Sequence, residues 1–373
     1  MAKKKKRGLS SQGVQKKRSS VLLLVVFLFL LLILAGVVGF GYVMNHTLNR
    51  IEKVDRAGED WVTPEEAARQ MSEMEDPDDA GQLDDMAEEG TERENKPDED
   101  SEKQDTLAPE DVVFTKPEKQ VKTPKVKNIL LIGQDRRPGE KRARSDSMIL
   151  CSINVDTQEI KLISFMRDLF VPFPEDYLAS RMNHAFAWGG MSMLDQIFED
   201  DFGVTVDGNV VVDFQSFVQV MGLIAPLEIE LKDYEAWFLN KGTNWGFRTG
   251  VNALNAEQLL AYTRIRYVGH GDWERTERQR TVLSKAFEKV RTLGLKELTD
   301  LMDEVLPYVT TDMSNADMLS LLYTVAANRM GIAGTYRIPI DGSYTEESIY
   351  GMAVLVPDLE QNSAFLHRII YGE

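Results

Sequence analysis

The residues of this chain whose types and spacing could do chemistry are aspartates and arginines at the ends of apolar runs. Asp135 and Asp146 close two such runs and flank one polar loop, with Arg144 two residues before the second acid. A third run ends in Met166-Arg167-Asp168. Farther along come Arg264 and Arg266, then Arg275, Arg278 and Gln279 at the i, i+3 and i+4 spacing of one helix face. A guanidinium presents a planar fork to two oxygens, so clustered arginines suit phosphate or pyrophosphate. Paired carboxylates suit Mg²⁺, which takes one or two protein carboxylates and fills its shell with phosphate oxygens and water. Together these ten residues describe a divalent-metal pyrophosphate site acting by positioning and by stabilising charge on a leaving phosphate. The plainer reading of the same residues is a set of surface salt bridges.

Other chemistries have less support. Cys151 is the single cysteine, which excludes an internal disulfide and a cysteine-based zinc site. His46, His184, His270 and His367 lack metal-ligand spacing, and no Ser/His/Asp or Cys/His set stands out. A net charge of -17 argues against general nucleic-acid binding.

The elements that must position the arginines are legible as patterns. Continuous apolar runs at 128–133, 148–155 and 160–165 read as buried strands, each delivering charged residues to an end or a loop of one sheet. Met191, Leu194, Ile197, Phe198 and Phe202 recur at helical spacing, as do Phe214, Phe217, Val218 and Met221. Short strands are expected at 210–214 and 227–231. Asn255-x-x-Gln258 reads as a capping box opening a helix over 256–262. A helix beginning at 272 turns Val282, Leu283, Ala286, Phe287 and Val290 to a core. A helix at 318–329, a strand at 336–340 and a closing helix at 359–370 complete the pattern.

Composition divides the chain. Residues 1–20 form a basic tail, and 21–44 are apolar and uncharged for long enough to cross a hydrocarbon core of about 30 Å. The apolar stretch exceeds a signal peptide's and ends in no A-x-A-like site, so the expectation is a retained single-pass anchor, N-terminus cytoplasmic and the remainder extracytoplasmic. Residues 45–124 are acidic, poor in aromatics and punctuated by prolines, which predicts an extended, disordered linker, with a helix possible over 51–74 as a spacer. Residues 125–373 have the composition and size of one α/β domain.

Several motifs in order carry a resemblance. Asn-Ile-Leu-Leu-Ile-Gly-Gln-Asp at 128–135, Arg-Ser-Asp-Ser at 144–147, Met-Arg-Asp at 166–168, Arg-Met-Asn at 181–183, Ala-Tyr-Thr-Arg-Ile-Arg at 261–266 and Arg-Thr-Glu-Arg-Gln at 275–279 resemble the LytR-CpsA-Psr family. These are membrane-anchored phosphotransferases of the bacterial envelope that move anionic glycopolymers from a polyprenyl-pyrophosphate carrier to a peptidoglycan sugar hydroxyl. The resemblance implies a three-layer α/β/α sandwich with a mixed central sheet over 125–373. It implies Mg²⁺ or Mn²⁺ on Asp135 and Asp146, pyrophosphate contacts from Arg144, Arg167, Arg264, Arg266 and Arg275, and Gln279 close by. Asp168 is left to orient Arg167 or to help in proton transfer. Teichoic acid, capsule and other wall glycans stay open as the polymer. A lipid tunnel is implied along the Met191/Leu194/Ile197/Phe198 or Phe214/Phe217/Val218/Met221 face, against the plain reading of both as core. Trp188, Trp237, Trp245 and Trp273 are candidates for stacking on sugars or for packing. Met166, Ser147 and the segment 221–224 depart from the usual pattern, the last putting a loop near the acceptor or lipid entrance in doubt. A binding protein without turnover, a pyrophosphatase and a purely structural anchor are the rival functions.

Overall fold

The computed structural model describes residues 46, 48–73, 106–117, 123–134, 136, 140–266 and 268–372. The chain divides into two units, Met1–Asn49 and Arg50–Glu373. Of the first, only 46, 48 and 49 are described, so the basic tail at 1–20 and the span expected at 21–44 lie outside the described residues. No helix among the described residues is long and apolar enough to cross a membrane.

The second unit starts well before residue 125. β1 (Glu52–Lys53) pairs in parallel with β10 (Thr310–Thr311) at the edge of the central sheet. α1 (Pro64–Glu73) buries Ala67 and Met71 in the main core, against which Trp61, Val62, Leu107, Val112 and Phe114 also pack. The expectation of one extended linker over 45–124 is therefore corrected for 50–73 and 106–117, while 74–105 lies outside the described residues. An acidic, proline-rich composition hid a few apolar residues placed where a core receives them. Charges assist: Arg56 Nε lies 2.7 Å from Asp312 Oδ2, and Lys116 Nζ lies 3.2 Å from the buried Asp201.

The three long apolar runs become neighbours: β2 (Val126–Gln134), β3 (Ser145–Asn154) and β4 (Glu159–Phe165), all antiparallel. β5 (Phe170–Val171) and β6 (Ser180–Arg181) form a small separate pair. β7 (Gly208–Asp213) runs parallel to β2, and β11 (Gly331–Ile338) runs parallel to β4. The result is a mixed seven-stranded sheet in the order β1-β10-β7-β2-β3-β4-β11.

Alternation along the strands gives the sheet two apolar faces. β3 sends Met148 and Leu150 to one face, where α2 (Met182–Phe202) and α9 (Leu359–Tyr371) pack. It sends Ile149 and Ile153 to the other, covered by α6 (Asp272–Val290) and α8 (Asn315–Ala327). Helices on both faces match the expected layering. Gly190 breaks α2, with φ 68° and ψ -149°. Only glycine fits there, because a Cβ would lie 2.0 Å from Glu59 Oε1. The Glu59 carboxylate accepts the backbone N–H groups of Met191 and Ser192 at 3.2 and 2.9 Å, satisfying the restarted helix.

A second core lies under α3 (Phe214–Ile224), β8 (Leu227–Leu231), α4 (Asp233–Asn240), β9 (Gly250–Leu254) and α5 (Ala256–Arg264), closed by the Val282 and Ala286 side of α6. The capping box expected at α5 is formed, with reciprocal Asn255 and Gln258 bonds of 2.9 Å. Residues 221–224 are simply the last turn of α3. α4, β9, α7 (Leu295–Val305), and the β12 (Tyr344–Ile349) and β13 (Met352–Pro357) hairpin had no sequence signal strong enough to find them. The Met191/Leu194/Ile197/Phe198 face is filled core, none of the four more than 2% exposed, with the Phe165 and Phe198 rings 4.5 Å apart. Phe214, Phe217 and Val218 remain half-buried.

Candidate anion-binding site

Antiparallel pairing of β3 and β4 opposes Met148 to Phe165, which brings Asp146 and the Arg167-Asp168 pair to one end of the sheet. α6 arrives beside them. Gly269 and Gly271, at φ 69° and 59°, turn the chain so that Asp272 opens the helix. Asp272 is the hub of the resulting cluster. Its Oδ2 accepts Arg167 Nε at 3.1 Å and Arg275 Nη2 at 3.0 Å, and its Oδ1 lies 3.0 Å from Arg266 Nε. Arg167 Nη1 donates to Asp146 Oδ1 at 3.1 Å. Asp168 Oδ1 lies 3.6 Å from Arg167 Nε and 3.8 Å from Arg181 Nε. Arg181, itself buried, is fixed by donating from Nε at 3.0 Å and Nη2 at 2.5 Å to the Ala353 carbonyl of β13.

The electrostatics follow from this crowding. Burial pushes the Asp272 carboxyl up, but Arg275, Arg167 and Arg266, with a hydrogen bond involving Asp168, more than offset it and hold the group below the usual carboxylate range. Burial and then the nearby Arg167 push Arg275 down, against Asp272, Asp146 and Asp168. Among the described residues, four guanidiniums, of Arg167, Arg181, Arg266 and Arg275, thus meet three carboxylates, and Arg275 Nε is buried with no hydrogen-bond partner. An excess of positive charge with an orphaned donor suits an oxyanion.

Of the sequence-predicted residues, the structure brings together Asp146, Arg167, Asp168, Arg266 and Arg275. Arg264 stands apart, its guanidinium carbon 4.9 Å from the centre of the Phe214 ring, beside the half-buried face of α3. Arg144 and Gln279 are half-buried and have no hydrogen-bond or ion-pair partner among the described residues. Asp135 lies outside the described residues. Arg278, grouped with the site by helical spacing, is corrected: it donates to Glu235, to the Ile265 carbonyl and to Glu274, inside the second core. Trp188 is core, packed on Phe173, and Trp245 packs on Phe247, whereas Trp237 is exposed and Trp273 half-buried.

Sequence reasoning missed Asp272 and Arg181. An acid in the first turn of a helix, three residues before Arg275 and just after Gly269-His270-Gly271, was the available signal for Asp272. For Arg181 the signal was its place in the Arg-Met-Asn motif at 181–183, but its carbonyl partner lies in a hairpin that the sequence did not reveal.

Among the described residues no three His, Cys, Asp or Glu side chains gather as a metal-binding group. The donor set still fits an ion completed by substrate oxygens: Asp146 is partly exposed, Arg167 occupies only its Oδ1, and its Oδ2 has no partner among the described residues.

The sequence pattern of the LytR_cpsA_psr family matches residues 86–367. The polyisoprenyl-teichoic acid--peptidoglycan teichoic acid transferase TagU of Enterococcus faecalis is 28% identical over 195 residues, 51% of this chain and 63% of that protein. The protein of the same name in Bacillus licheniformis is 28% identical, with 51% and 61% covered, so the matched part is less than two thirds of either relative's length. Regulatory protein MsrR of Staphylococcus aureus is 25% identical over 59% of this chain and 66% of its own. Among solved structures, that of YwtF (TagT) with bound octaprenyl pyrophosphate lipid superposes with a TM-score of 0.52 at 22% identity, covering 69% of this chain and 96% of that one. B. subtilis TagT gives 0.54 at 22%, covering 69% and 97%. These likenesses establish a shared mixed α/β fold. With the family pattern running from residue 86 through β2 to β13 and the arginine cluster, the chain belongs to the LytR_cpsA_psr family.

Proposed function

We propose that this protein is a phosphotransferase that moves an anionic glycopolymer from a polyprenyl-pyrophosphate carrier to a peptidoglycan sugar hydroxyl and releases polyprenyl phosphate. The observation that carries the reading is the convergence of Arg167, Arg266 and Arg275 on Asp272, beside Asp146 and Asp168. The names of the TagU relatives and the lipid in the YwtF (TagT) structure support it. On this reading the protein is a single-pass membrane protein with its domain outside the cell.

Asp272 keeps three guanidiniums gathered before substrate arrives, so that a pyrophosphate replaces a carboxylate contact and little has to be ordered afterwards. Arg167, Arg266 and Arg275 then hold the phosphate oxygens, and Arg181 fixes Asp168 and through it Arg167. The lipid tail lies along the half-buried Phe214, Phe217 and Val218, which Arg264 borders. The acceptor oxygen bonds to the phosphorus that carries the polymer, the bond from that phosphorus to the bridging oxygen breaks, and the hydroxyl proton passes to a carboxylate of the cluster. Asp146, with Asp135, would hold Mg²⁺ or Mn²⁺, which when bound neutralises charge on the pyrophosphate.

The test is turnover by the full chain in detergent, with a lipid-linked glycan, Mg²⁺ and peptidoglycan fragments. Metal-dependent release of polyprenyl phosphate, glycan on the peptidoglycan, and loss of both in Arg167→Ala are expected. Release to water alone would favour a pyrophosphatase. Tight binding without turnover would favour a non-catalytic regulator, a reading to which the name of the MsrR relative lends support.

A further inference from the structure

The cluster around Asp272 does not use every buried cation on α6. Arg280 is 7% exposed, and its Nε and Nη1 are buried without hydrogen-bond partners among the described residues. Leu283 and Phe287, three and seven residues later, pack on the Ile149/Ile153/Leu162 face of the sheet. Helical periodicity therefore turns Arg280 toward that same face. There a cross-strand row runs Leu131, Ile149, Ser164, Arg337 through β2, β3, β4 and β11. Ser164 is 1% exposed, and its hydroxyl is a second buried group without a hydrogen-bond partner among the described residues.

The charges around Arg280 are answered only at the surface. Burial pushes its guanidinium down to about 10, Glu277 opposing and Arg337 adding to the effect, so it keeps its proton at neutral pH. Glu277 is largely exposed and 3.9 Å from Lys232. Arg337 stacks over the Trp273 ring at 4.1 Å, donates from Nε to the Pro339 carbonyl at 3.2 Å and pairs with the exposed Asp341. Among the described residues the two neighbouring guanidiniums thus face only exposed carboxylates, Glu277 for Arg280 and Asp341 for Arg337, and the more deeply buried of the two has unmade hydrogen bonds. Such an arrangement is costly unless an anion completes it.

We propose that Arg280, Ser164 and Arg337 form a second oxyanion subsite between α6 and the sheet, which takes a phosphodiester group of the glycan chain. This rests on the function proposed above and names a feature of its substrate. Arg280 lies five residues beyond Arg275, about 7–8 Å along the helix axis at 1.5 Å per residue. That is farther than the two phosphates of one pyrophosphate lie apart, so a head group held at Arg275 leaves Arg280 for another anion. Trp273, seven residues before Arg280 and two before Arg275, shares Arg280's side of the helix and carries the stacked Arg337. A polymer phosphodiester and free inorganic phosphate share the required chemistry.

The test compares wild type with Arg280→Met, as full chains in detergent. Thermal unfolding is followed during titration with inorganic phosphate, and KM is measured for lipid carriers bearing either a phosphate-containing or an uncharged glycan. Arg280→Met is expected to match or exceed the wild-type Tm in anion-free buffer and to lose part of the phosphate-induced rise, a part that Arg266→Ala retains. It is expected to raise KM for the phosphate-containing carrier about tenfold, and several times less for the uncharged one, with Arg280→Lys in between. A phosphate response on the free ion without the KM difference assigns the site to inorganic phosphate and overturns the glycan assignment. Identical phosphate responses in wild type and Arg280→Met overturn the subsite altogether. Should Arg280→Met not fold, Ser164→Ala removes only the hydroxyl, and a phosphate response unchanged from wild type would likewise overturn it. Absence of turnover with every carrier would count against the proposed function, while the phosphate titration still decides the subsite.

Discussion

Arg275 and Arg278 lie one turn apart on α6, and both are almost wholly buried, yet their surroundings differ in kind. Arg278 gives Nε to Glu235 at 2.7 Å, Nη1 to the Ile265 carbonyl at 2.9 Å and Nη2 to Glu274 at 2.8 Å. Glu274 is shared with Tyr234 and Lys232, whose hydrogen bonds outweigh its burial and hold it below the usual carboxylate range. That network ties α4, the end of α5 and α6 together and is closed. Arg275 instead shares one carboxylate with two other arginines and keeps an orphaned Nε. Balanced charge makes an anchor; surplus positive charge with unmade hydrogen bonds makes a place for an anion.

Truncation should separate the two most sharply. Arg278→Ala leaves the buried Glu235 without a cationic partner and Glu274 with only Tyr234 and Lys232, and breaking a buried pair of this kind costs about 3–5 kcal/mol. Thermal or urea unfolding should show that loss. Arg275→Ala should cost far less stability but lower kcat about 10²–10³-fold, the scale seen on removing one donor to a developing oxyanion. Equal destabilisation by both would end the distinction. Asp272→Asn weakens the shared counter-charge of three arginines. Turnover should fall about tenfold or more, 1.4 kcal/mol per decade, with KM affected as much as kcat.

Carboxylates sharpen the contrast through pH. Asp272, held below its ordinary value, contributes stability that is present above about pH 4 and is lost as pH falls through its folded value. Asp201 is the reverse case. Burial pushes it up to about 7, with Lys116 opposing and Asp200 adding, so stability should fall as pH rises from about 4 to about 7. Each unit of such a shift is worth about 1.4 kcal/mol. Unfolding followed across that range should show the decline in wild type and its loss in Asp201→Asn. The smallest effect is expected at Glu59, where Glu59→Gln weakens the cap on the restarted α2 and the contact with Arg142 at 3.5 Å. About 1 kcal/mol of stability should go, read as a lower Tm with the arginine cluster intact.

The family pattern and most of the sheet were legible because long apolar runs and caps are local signals. β2, β3 and β4 fall on the three runs, and α5 begins at its expected box. Short elements were not legible. β1 and β10 have two residues each, too few for any period, and are strands only because β7 lies beside β10 and β10 beside β1. The acidic stretch before residue 125 looked unable to fold on its own, and Glu59, Arg56, Trp61 and Lys116 find partners only on the finished domain.

By itself the sequence determined that aspartates and arginines would stand at strand ends, that one chain of motifs belongs to one family, and that α6 would carry Arg275. Tertiary structure decided which arginine meets which acid. Helical spacing placed Arg275, Arg278 and Gln279 on one side of α6, but spacing describes the direction of a side chain and not what lies there. Arg167 and Asp272 are 105 residues apart in the chain. Their contact exists because β4 ends and α6 starts at the same end of the sheet, and a charge is settled by its nearest neighbour in space rather than along the chain.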